Sequence, residues 1–577
     1  MKGAAPVFCL LIVIVWHNKA YCQEDYLLSR PKGSKDALNI HKRGEVLYNG
    51  LQLPDAWPPR NIDRSRKPIE VPYLLNKPDA VLIDVGRQLF VDDFLIEQTT
   101  LKKTYHSAEK INANPLFRPE TAIELNGGNI PVAAPFNDGI WYDYKDQLYK
   151  MWYHAGWFSG TAYAISIDGI HWTRPELDIV PGTNLVLKIR DGYRRDGATI
   201  WMDRESVDSQ SRYKMFLYNR YKGGEGGELY DSRDGIHWNF LRTTSVLGDN
   251  SSFFYNPFRK KWVFSIRSYW QNQRVRSYHE ADNFLDASQW ESDTASRKSP
   301  VYWLKADWLD EANAMVNDST QFYDADAVAY ESIMLGLFTI HRGPNNKIAK
   351  FGGFPKITDM DLGYSRDGFH FSRPDRKPFI ASTNKIGDWD RGYIHAVGGG
   401  CLVVRDSLYF YYSAWSGWSP NLKADIYAGG SMGLAVLRRD GFVSLNAGEE
   451  EGYIITRPVI FNGKNMFVNV DNKEGSLLVE VLDENYKVIL PYTRSECKAI
   501  HANSTIQQVS WNKRNNLASL KGQKVRFKFY LKKGSLYSFW VTPDKLGASN
   551  GYVAAGGPGL PGNTDTEGKR AYSRKSD

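Results

Sequence analysis

Short apolar runs, broken at regular intervals by polar turns, fill residues 79–450. In each unit an apolar run ends at a polar turn, a second run follows, and a third leads into a turn that often contains Asp-Gly. The second runs include "QLYKMWYHA", "RYKMFLYNR" and "SLYFYYSAW". Runs of this length between turns predict β-strands, and Asp-Gly between two strands predicts a tight hairpin. We therefore expect an all-β protein.

The Asp-Gly phrase sets the period of the repeat. It reads "SIDGIHW" at 166–172, "SRDGIHW" at 232–238 and "SRDGFHF" at 365–371, and a fourth pair stands at Asp440-Gly441. The second interval is nearly double the first, and "ADNFLDASQW" at 281–290 fills the missing place in a degenerate form. Five units of four strands predict a five-bladed β-propeller. We expect the phrase to be a structural turn, with a capping Asp and an aromatic residue packed between blades.

The flanks of the repeat have other patterns. Residues 23–78 are rich in Pro and polar residues and predict an extended arm. The alternating segment 86–106 predicts an opening hairpin that supplies the strand closing the last blade. Residues 451–550 contain strands without the repeat, which predicts a C-terminal β-sandwich. Residues 551–577 are rich in Gly and then charged, and we expect them to be a disordered tail.

Residues 1–22 resemble a signal for export. Lys2 precedes an apolar run from Val7 to Trp16, and small residues stand at the −3 and −1 positions before Gln23. This arrangement predicts a cleaved Sec signal peptide, so the protein is expected to be secreted or periplasmic, with a lipoprotein signal at Cys22 as the alternative. No later segment has the length and apolar character of a membrane span. Cleavage would leave Cys401 and Cys497, too few for a disulfide scaffold.

The composition bears on the kind of ligand that the protein could bind. The chain has 18 Trp and 34 Tyr, which suit pleated strands first and could also stack on sugar rings. The formal net charge of +8 is spread along the chain, not gathered in one block. A spread charge indicates solubility, with attraction to an acidic glycan as the alternative. We expect no nucleic-acid partner.

The repeat also locates the mouth of the predicted channel, because the first strand of each blade lines it. Counting seven residues back from the turn that ends this strand reaches a carboxylate in three units: Asp196, Asp249 and Asp324. In the first unit the count reaches Phe136, with Asp138 two residues further on. Asp326 shares the face of Asp324, because strand side chains alternate.

Converging carboxylates fit glycoside hydrolysis, which needs one acid and one base or nucleophile. Repulsion between them raises the pKa of one, so that it stays protonated near neutral pH. We expect Asp196 to stabilise the transition state and Asp138 to be the base or nucleophile. Asp249 and either Asp324 or Asp326 compete for the roles of acid and substrate-orienting group. Loop capping is the alternative for each residue.

Further candidates lie near the same strands. Trp157, Trp270 and Trp415, and with them Trp389 and Trp418, could stack on sugars, with blade packing as the alternative. Arg195 and His395 are the polar candidates for substrate binding. Glu124 and Glu228 stand in Gly-rich loops and are alternatives for the acid, although a loop role is the simpler reading.

The predicted architecture resembles that of glycoside hydrolase family 32, and the propeller alone is similar to family 43. The "RRDG" around Asp196 resembles the family-32 Arg-Asp-Pro motif, with Gly197 in place of Pro. Two motifs are missing: "FNDGIWYD" keeps only Asn137-Asp138 of Asn-Asp-Pro-Asn-Gly, and Asp249 stands where Glu-Cys is expected. The whole chain also resembles secreted bacterial proteins that are described as family-32-like.

This resemblance implies an exported glycoside hydrolase acting on an oligo- or polysaccharide. The similarity to family 43 further implies a structural Ca²⁺ whose bound water contacts His395. The residues themselves indicate no cofactor and no metal site, because CxxC and HExxH are missing from the sequence. The competing hypothesis is a carbohydrate-binding propeller without catalytic activity, which needs the aromatic residues but no acid–base pair.

Overall fold

The computed structural model describes residues 44–313 and 318–573, and the chain is all-β. The predicted signal peptide lies outside these residues. No helix in the described ranges is long and apolar enough to cross a membrane. The α-helices are Pro72–Leu75, Ala122–Leu125, Phe284–Ala287, Asn346–Gly352 and Arg570–Ser573, and the 3₁₀ turns are Asn126–Gly128, Ser209–Ser211, Arg494–Glu496 and Ala518–Leu520.

The repeat region forms five successive antiparallel sheets, which we number 1 to 5. Sheet 1 consists of Ala133–Asp143, Leu148–Ala155 and Gly160–Ser166; sheet 2 of Tyr193–Met202, Tyr213–Tyr221, Gly224–Ser232 and Trp238–Thr243; sheet 3 of Ser252–Asn256, Lys261–Trp270, Gln273–Ala281 and Val301–Lys305; sheet 4 of Gln321–Glu331, Ile333–Gly343 and Ile357–Ser365; and sheet 5 of Gly392–His395, Leu402–Val404, Ser407–Trp415 and Gly430–Arg438.

Two of these sheets gain a strand from elsewhere in the chain. Tyr552–Val553 pairs with the first strand of sheet 4, and Glu109–Lys110 pairs with the last strand of sheet 5. The segment 86–106 therefore does not close sheet 5 as expected, because the closing strand begins just after it. Its own strands, Gln88–Leu89, Ile96–Thr99 and Lys102–Tyr105, join the C-terminal sheets.

Neighbouring sheets contact each other in a cycle. They share one apolar core, and sheet 5 returns to sheet 1. Hydrogen bonds between sheets include those from Trp141 Nε1 to the Ile200 oxygen (2.9 Å), from Ser252 Oγ to the Ala325 oxygen (2.8 Å), from Thr358 Oγ1 to the Ile394 oxygen (2.6 Å) and from the Ile140 N–H to the Gly398 oxygen (3.1 Å).

The structural role of the Asp-Gly phrase is confirmed by its hydrogen bonds. In all three full copies the Asp Oδ1 accepts from two backbone N–H groups that follow it, and the preceding Ser hydroxyl accepts from the Gly N–H. Gly169, Gly235 and Gly368 have φ values of 78°, 82° and 80°, which favour glycine. The Gly235 oxygen accepts from Trp152 Nε1 of the neighbouring sheet (2.6 Å). The phrase therefore links adjacent sheets.

The fourth Asp-Gly pair is a different feature. Asp440 itself has φ of 61°, and its buried carboxylate accepts from Arg87 and Tyr330. The strand that follows it, Val443–Ala447, pairs with the C-terminal sheets. This pair therefore marks the junction between the two parts of the molecule.

The C-terminal part contains two antiparallel sheets that share a second apolar core. The described part of the arm, which begins at Gly44, adds Leu51 and Leu53 to this core. A two-stranded parallel pair, Val81–Leu82 with Val459–Ile460, lies beside the sheets. Sheet 6 consists of Asn503–Val509, Asn465–Asp471, Gly534–Thr542, Val443–Ala447, Lys102–Tyr105 and Gln88–Leu89, and sheet 7 of Ser476–Leu482, Arg526–Lys532, Gly452–Thr456 and Ile96–Thr99.

The expectation of a disordered tail is wrong for residues 551–573. Beyond the strand at Tyr552–Val553, the Asp565 carboxylate accepts from Arg439 Nη2 (2.8 Å). The glycines that suggested flexibility instead allow close packing, because a Cβ on Gly557 would lie 1.8 Å from the Val403 oxygen. Residues 574–577 lie outside the described ranges.

Candidate functional site

The pairing of the first strand is interrupted in four of the five sheets. Interruptions of this kind re-aim side chains and are common next to active sites. In this protein they include Asn137, Asp138 and Asp196, and in sheets 4 and 5 a tyrosine, Tyr323 and Tyr393. The interrupted stretches are 135–138 in sheet 1, 196–197 in sheet 2, 323 in sheet 4 and 393–394 in sheet 5.

Backbone strain accompanies these interruptions. Asn137 has φ of 62° and Tyr393 has φ of 54°, and Asn250, just before the first strand of sheet 3, has φ of 52°. Positive φ is tolerated by Asn but is uncommon for a bulky residue such as Tyr. We name the polar side chains gathered here the central cluster: Asn137, Asp138, Arg195, Asp196, Arg220, Asp249, Arg267, Arg274, Arg276, Tyr323, Asp324, Asp326, Lys356, Tyr393 and His395.

Asp138 is fully buried and has one ionic partner. Its Oδ1 accepts from Arg195 Nη2, whereas its Oδ2 has no hydrogen-bond partner in the described part of the chain. Burial raises the pKa of Asp138 to about 6, although Arg195 acts in the opposite direction. Arg195 is thus bound to a carboxylate through Nη2. Only its Nη1, which has no hydrogen-bond partner among the described residues, is free to bind a substrate.

Asp324 and Asp326 form a carboxylate pair on one strand. Burial raises the pKa of Asp324, against the effect of Arg276, whose Nη2 lies 3.5 Å from Oδ1. Burial and the neighbouring charge of Asp324 raise the pKa of Asp326 well above its usual value. Asn137 Nδ2 donates to Asp324 Oδ2, which joins this pair to the stretch that carries Asp138.

Asp196 and Asp249 are brought together by one arginine. Arg220 Nε donates to Asp196 Oδ2 (2.7 Å), and its Nη2 donates to Asp249. Asp249 also pairs with Arg267. The cluster meets solvent on this side, because the Arg220 side chain is 30% exposed. A carboxylate held by two guanidinium groups is suited to orienting a ligand more than to donating a proton.

His395 is buried among aromatic rings. The ring centroid of Phe136 lies 4.2 Å away, that of Tyr393 4.7 Å and that of Tyr323 5.5 Å. Burial lowers the pKa of His395 well below its usual value, so the ring is neutral. These surroundings do not fit a hydrated Ca²⁺, which prefers oxygen ligands. The described residues contain no group of three His, Cys, Asp or Glu suited to a metal.

Two of the tryptophans expected to be sugar platforms, Trp157 and Trp415, are buried. Trp157 is enclosed between His154 and Tyr427, with ring centroids 5.2 Å and 4.4 Å away and nearly parallel planes. Trp415 is completely buried. Trp270 lies outside the central cluster, under the Arg64 guanidinium of the N-terminal arm (4.6 Å). Of the other two indoles, Trp389 packs on Tyr412, whereas Trp418 is 52% exposed.

The two glutamates considered as alternative acids are structural. Glu124 accepts from Arg174 Nε (2.8 Å) and Tyr153 OH (2.5 Å) and completes a helix capping box. Glu228 accepts two hydrogen bonds from Arg190 Nη2, at 2.9 and 2.8 Å. Both carboxylates are therefore occupied by arginines from other parts of the chain.

Eight members of the central cluster are missing from the site residues predicted from the sequence: Asn137, Arg220, Arg267, Arg274, Arg276, Tyr323, Lys356 and Tyr393. Arg220 lies in the apolar strand "KMFLYNRY" and Arg267 in the apolar strand "WVFSIRSYW". A charged residue within an apolar strand was a signal from which both could have been predicted. Tyr323 gave no signal, because an aromatic residue beside a strand Asp is ordinary in a β-protein. Lys356 follows a helix in a loop, where the repeat makes no prediction.

No family model and no curated protein matches the chain. Among solved structures, a glycosyl hydrolase from Bacteroides ovatus is 12% identical, with a TM-score of 0.38 over 61% of this chain and 97% of that chain. A thermostable family-43 glycoside hydrolase is 10% identical, with a TM-score of 0.36 over 54% and 93%. A fructofuranosidase from Schwanniomyces occidentalis in complex with fructosylnystose is 10% identical, with a TM-score of 0.35 over 73% and 99%. The structural neighbours are thus glycoside hydrolases, at low sequence identity.

Proposed function

We propose that the protein is a glycoside hydrolase that cleaves an oligo- or polysaccharide at the centre of a five-bladed β-propeller. The propeller is inferred from sheets 1 to 5, whose contacts return from the last sheet to the first. The C-terminal β-sandwich is inferred from sheets 6 and 7, which share one apolar core. Export belongs to the proposal through the signal expected at residues 1–22.

One observation carries the proposal. Asp138 and Asp326 come from different sheets, yet each has a buried carboxylate oxygen without a hydrogen-bond partner among the described residues. Buried polar atoms in native proteins are nearly always paired, and exceptions often have a functional cause. A carboxylate kept for a structural purpose is fully bonded, as Glu124 is. Unpaired carboxylates in one cluster therefore favour contact with a reacting ligand.

The raised pKa values suggest how the roles divide. Burial and the neighbouring charge of Asp324 raise the pKa of Asp326 well above its usual value, which favours its protonated form and suits the acid that protonates the leaving oxygen. Asp138, with a pKa of about 6, is mainly ionised at pH 7 and suits the base or nucleophile. Asp196 would stabilise positive charge on the sugar in the transition state, and Asp249 would orient a hydroxyl group.

A hydrolysis screen with the whole mature chain tests the proposal. Plant and algal glycans are incubated with the protein, and new reducing ends are measured. On a cleaved glycan, Asp138→Asn is expected to lower kcat by about 10²–10⁴-fold, because the base or nucleophile is lost. Asp168→Asn, in an exposed turn, is the matched control and should keep full activity. Full activity of the Asp138 variant would remove this residue from the mechanism.

The same panel of glycans, with binding measured beside cleavage, distinguishes the hydrolase from the competing carbohydrate-binding function. Arginine pairing of both Asp196 and Asp249 is compatible with a carbohydrate-binding protein, which needs oriented carboxylates but no proton donor. Glycan binding by the wild-type chain without any cleavage across the panel would favour that function.

A further inference from the structure

Two cations of the central cluster have no carboxylate partner. The Lys356 side chain is buried, and its Nζ donates to Tyr323 OH (2.8 Å). Arg274 is half-buried, with its guanidinium 4.4 Å above the Tyr323 ring and its Nε donating to Tyr269 OH (3.3 Å). Over the ranges that the structure describes, neither residue forms an ion pair with Asp or Glu.

This arrangement differs from that of the other buried lysines. Lys150 pairs with Asp143 (2.8 Å), and Lys214 pairs with Asp203 (2.7 Å). Lys305 donates to the backbone oxygens of two residues of the N-terminal arm. A buried cation without an anion is unfavourable, and such charges are normally paired. Lys356 and Arg274 therefore favour a negatively charged group beside them.

The two cations change the pKa of a neighbouring phenol. Although burial raises the pKa of Tyr323, Lys356 and Arg274 together lower it to about 7. Tyr393 OH lies 2.9 Å from Tyr323 OH, and Lys356 Nζ lies 5.0 Å from the centroids of three tyrosine rings, including that of Tyr427. With Tyr323 ionised, the two cations still exceed the one phenolate by one charge.

The position of this group connects it to the candidate active site. Tyr323 is the extra residue of the interruption in sheet 4, and it directly precedes Asp324. Tyr393 is the strained residue of the interruption in sheet 5. The cations thus lie beside the carboxylates and not on a distant surface.

We propose that Lys356 and Arg274 bind an anionic group of the sugar substrate, a uronate carboxylate or a sulfate ester. Arg274 offers a planar fork and Lys356 a compact ammonium group, and both suit an oxyanion. The identification of this anion as part of a substrate rests on the proposed glycosidase function. The net charge of +8 favours approach of an acidic glycan.

Binding measurements test the site without relying on catalysis. Glucose, galactose and mannose are titrated calorimetrically into the whole mature chain, each as the neutral sugar, the uronate and the 6-sulfate. We expect at least one anionic form to bind about tenfold or more tightly than its neutral counterpart, since each 1.4 kcal/mol changes affinity tenfold. The form that binds separates a carboxylate from a sulfate. Equal or absent binding of all forms would overturn the proposal.

The variants Lys356→Met and Arg274→Met are expected to remove the preference for the anion. At about pH 5, where the Tyr323 phenol with its pKa of about 7 is protonated, Lys356→Met should also raise the melting temperature of the free protein, because it deletes a buried charge without a counter-ion. Lys214→Met is the matched control and should lower it, because Asp203 is left unpaired. A fall in melting temperature for Lys356→Met, with anion preference unchanged, would indicate a purely structural lysine.

The outcomes separate this proposal from the glycosidase proposal. If the protein prefers anionic sugars through Lys356 but cleaves no glycan, the anion-site proposal stands and the hydrolase proposal is rejected. Cleavage of an anionic glycan by Lys356→Met with the wild-type kcat and KM keeps the hydrolase and rejects the anion site.

Discussion

Two aspartates on one strand of sheet 1 illustrate how local surroundings decide what a carboxylate does. Asp143 accepts from Lys150, Arg212 and Tyr213, and these bonds hold its pKa below its usual value despite burial. Asp138 has a single cation and an unpaired oxygen, and burial raises its pKa. The first is a structural anchor, and the second retains the capacity to exchange a proton near neutral pH.

The raised pKa of Asp138 makes a prediction about stability. The folded-state pKa of about 6 exceeds the unfolded value of about 3.9, so the folded protein binds the proton more tightly. This contribution is complete below about pH 4 and is lost as the pH rises through 6. Between pH 4 and pH 7 the wild-type protein should therefore lose about 2 kcal/mol of unfolding free energy that Asp138→Asn does not lose. Urea unfolding of both proteins across that pH range measures this loss. A difference in unfolding free energy between the two proteins that does not change with pH would contradict the raised pKa of Asp138.

At the scale of the element, the regular features were predictable and the irregular ones were not. Alternation and Asp-Gly turns define strands, because both act locally. The count along the repeat also identified Asp196, Asp249 and Asp324. The interruptions of pairing have no fixed sequence, and positive φ at Tyr393 depends on the surrounding packing. The partners of the carboxylates, Arg220 among them, come from other strands, so the sequence alone does not pair them.

The Asp-Gly turns make a prediction because their copies differ in burial. Asp367 is buried and accepts from the backbone N–H groups of Phe369 (2.9 Å) and His370 (2.8 Å), whereas half of the Asp168 side chain is exposed. Asp367→Ala should cost about 2–3 kcal/mol of unfolding free energy, since buried donors lose their acceptor. Asp168→Ala should cost about 1 kcal/mol, as at an exposed cap. Denaturant titration compares them, and equal losses would show that burial does not set the strength of the turn.

At the scale of the whole molecule, a buried ion network joins the repeat region to the C-terminal part. Arg87 and Arg439 both pair with Glu331 at the end of the first strand of sheet 4, and Arg87 also pairs with Asp440. Asp565 of the C-terminal segment pairs with Arg439 (2.8 Å). The partners are far apart in sequence, which is why composition alone suggested a disordered tail. A single charged residue in the sequence does not indicate this ion network, because its partners come near only in the folded protein.

This network predicts that the C-terminal segment depends on Arg439. Arg439→Met leaves the buried carboxylates of Asp565 and Glu331 without their shared cation, and breaking a buried pair costs about 3–5 kcal/mol. The segment 551–573 should then detach locally before the sheets unfold, because its strand at Tyr552–Val553 is short. Limited proteolysis followed by mass spectrometry should detect cleavage within 551–573 in the variant and not in wild type. Arg570→Met, which removes a half-exposed arginine of the same segment, is the control and should change stability by less than about 0.5 kcal/mol. If the two variants are cleaved equally, the segment is held by its backbone pairing and packing, and the ion network contributes little to its attachment.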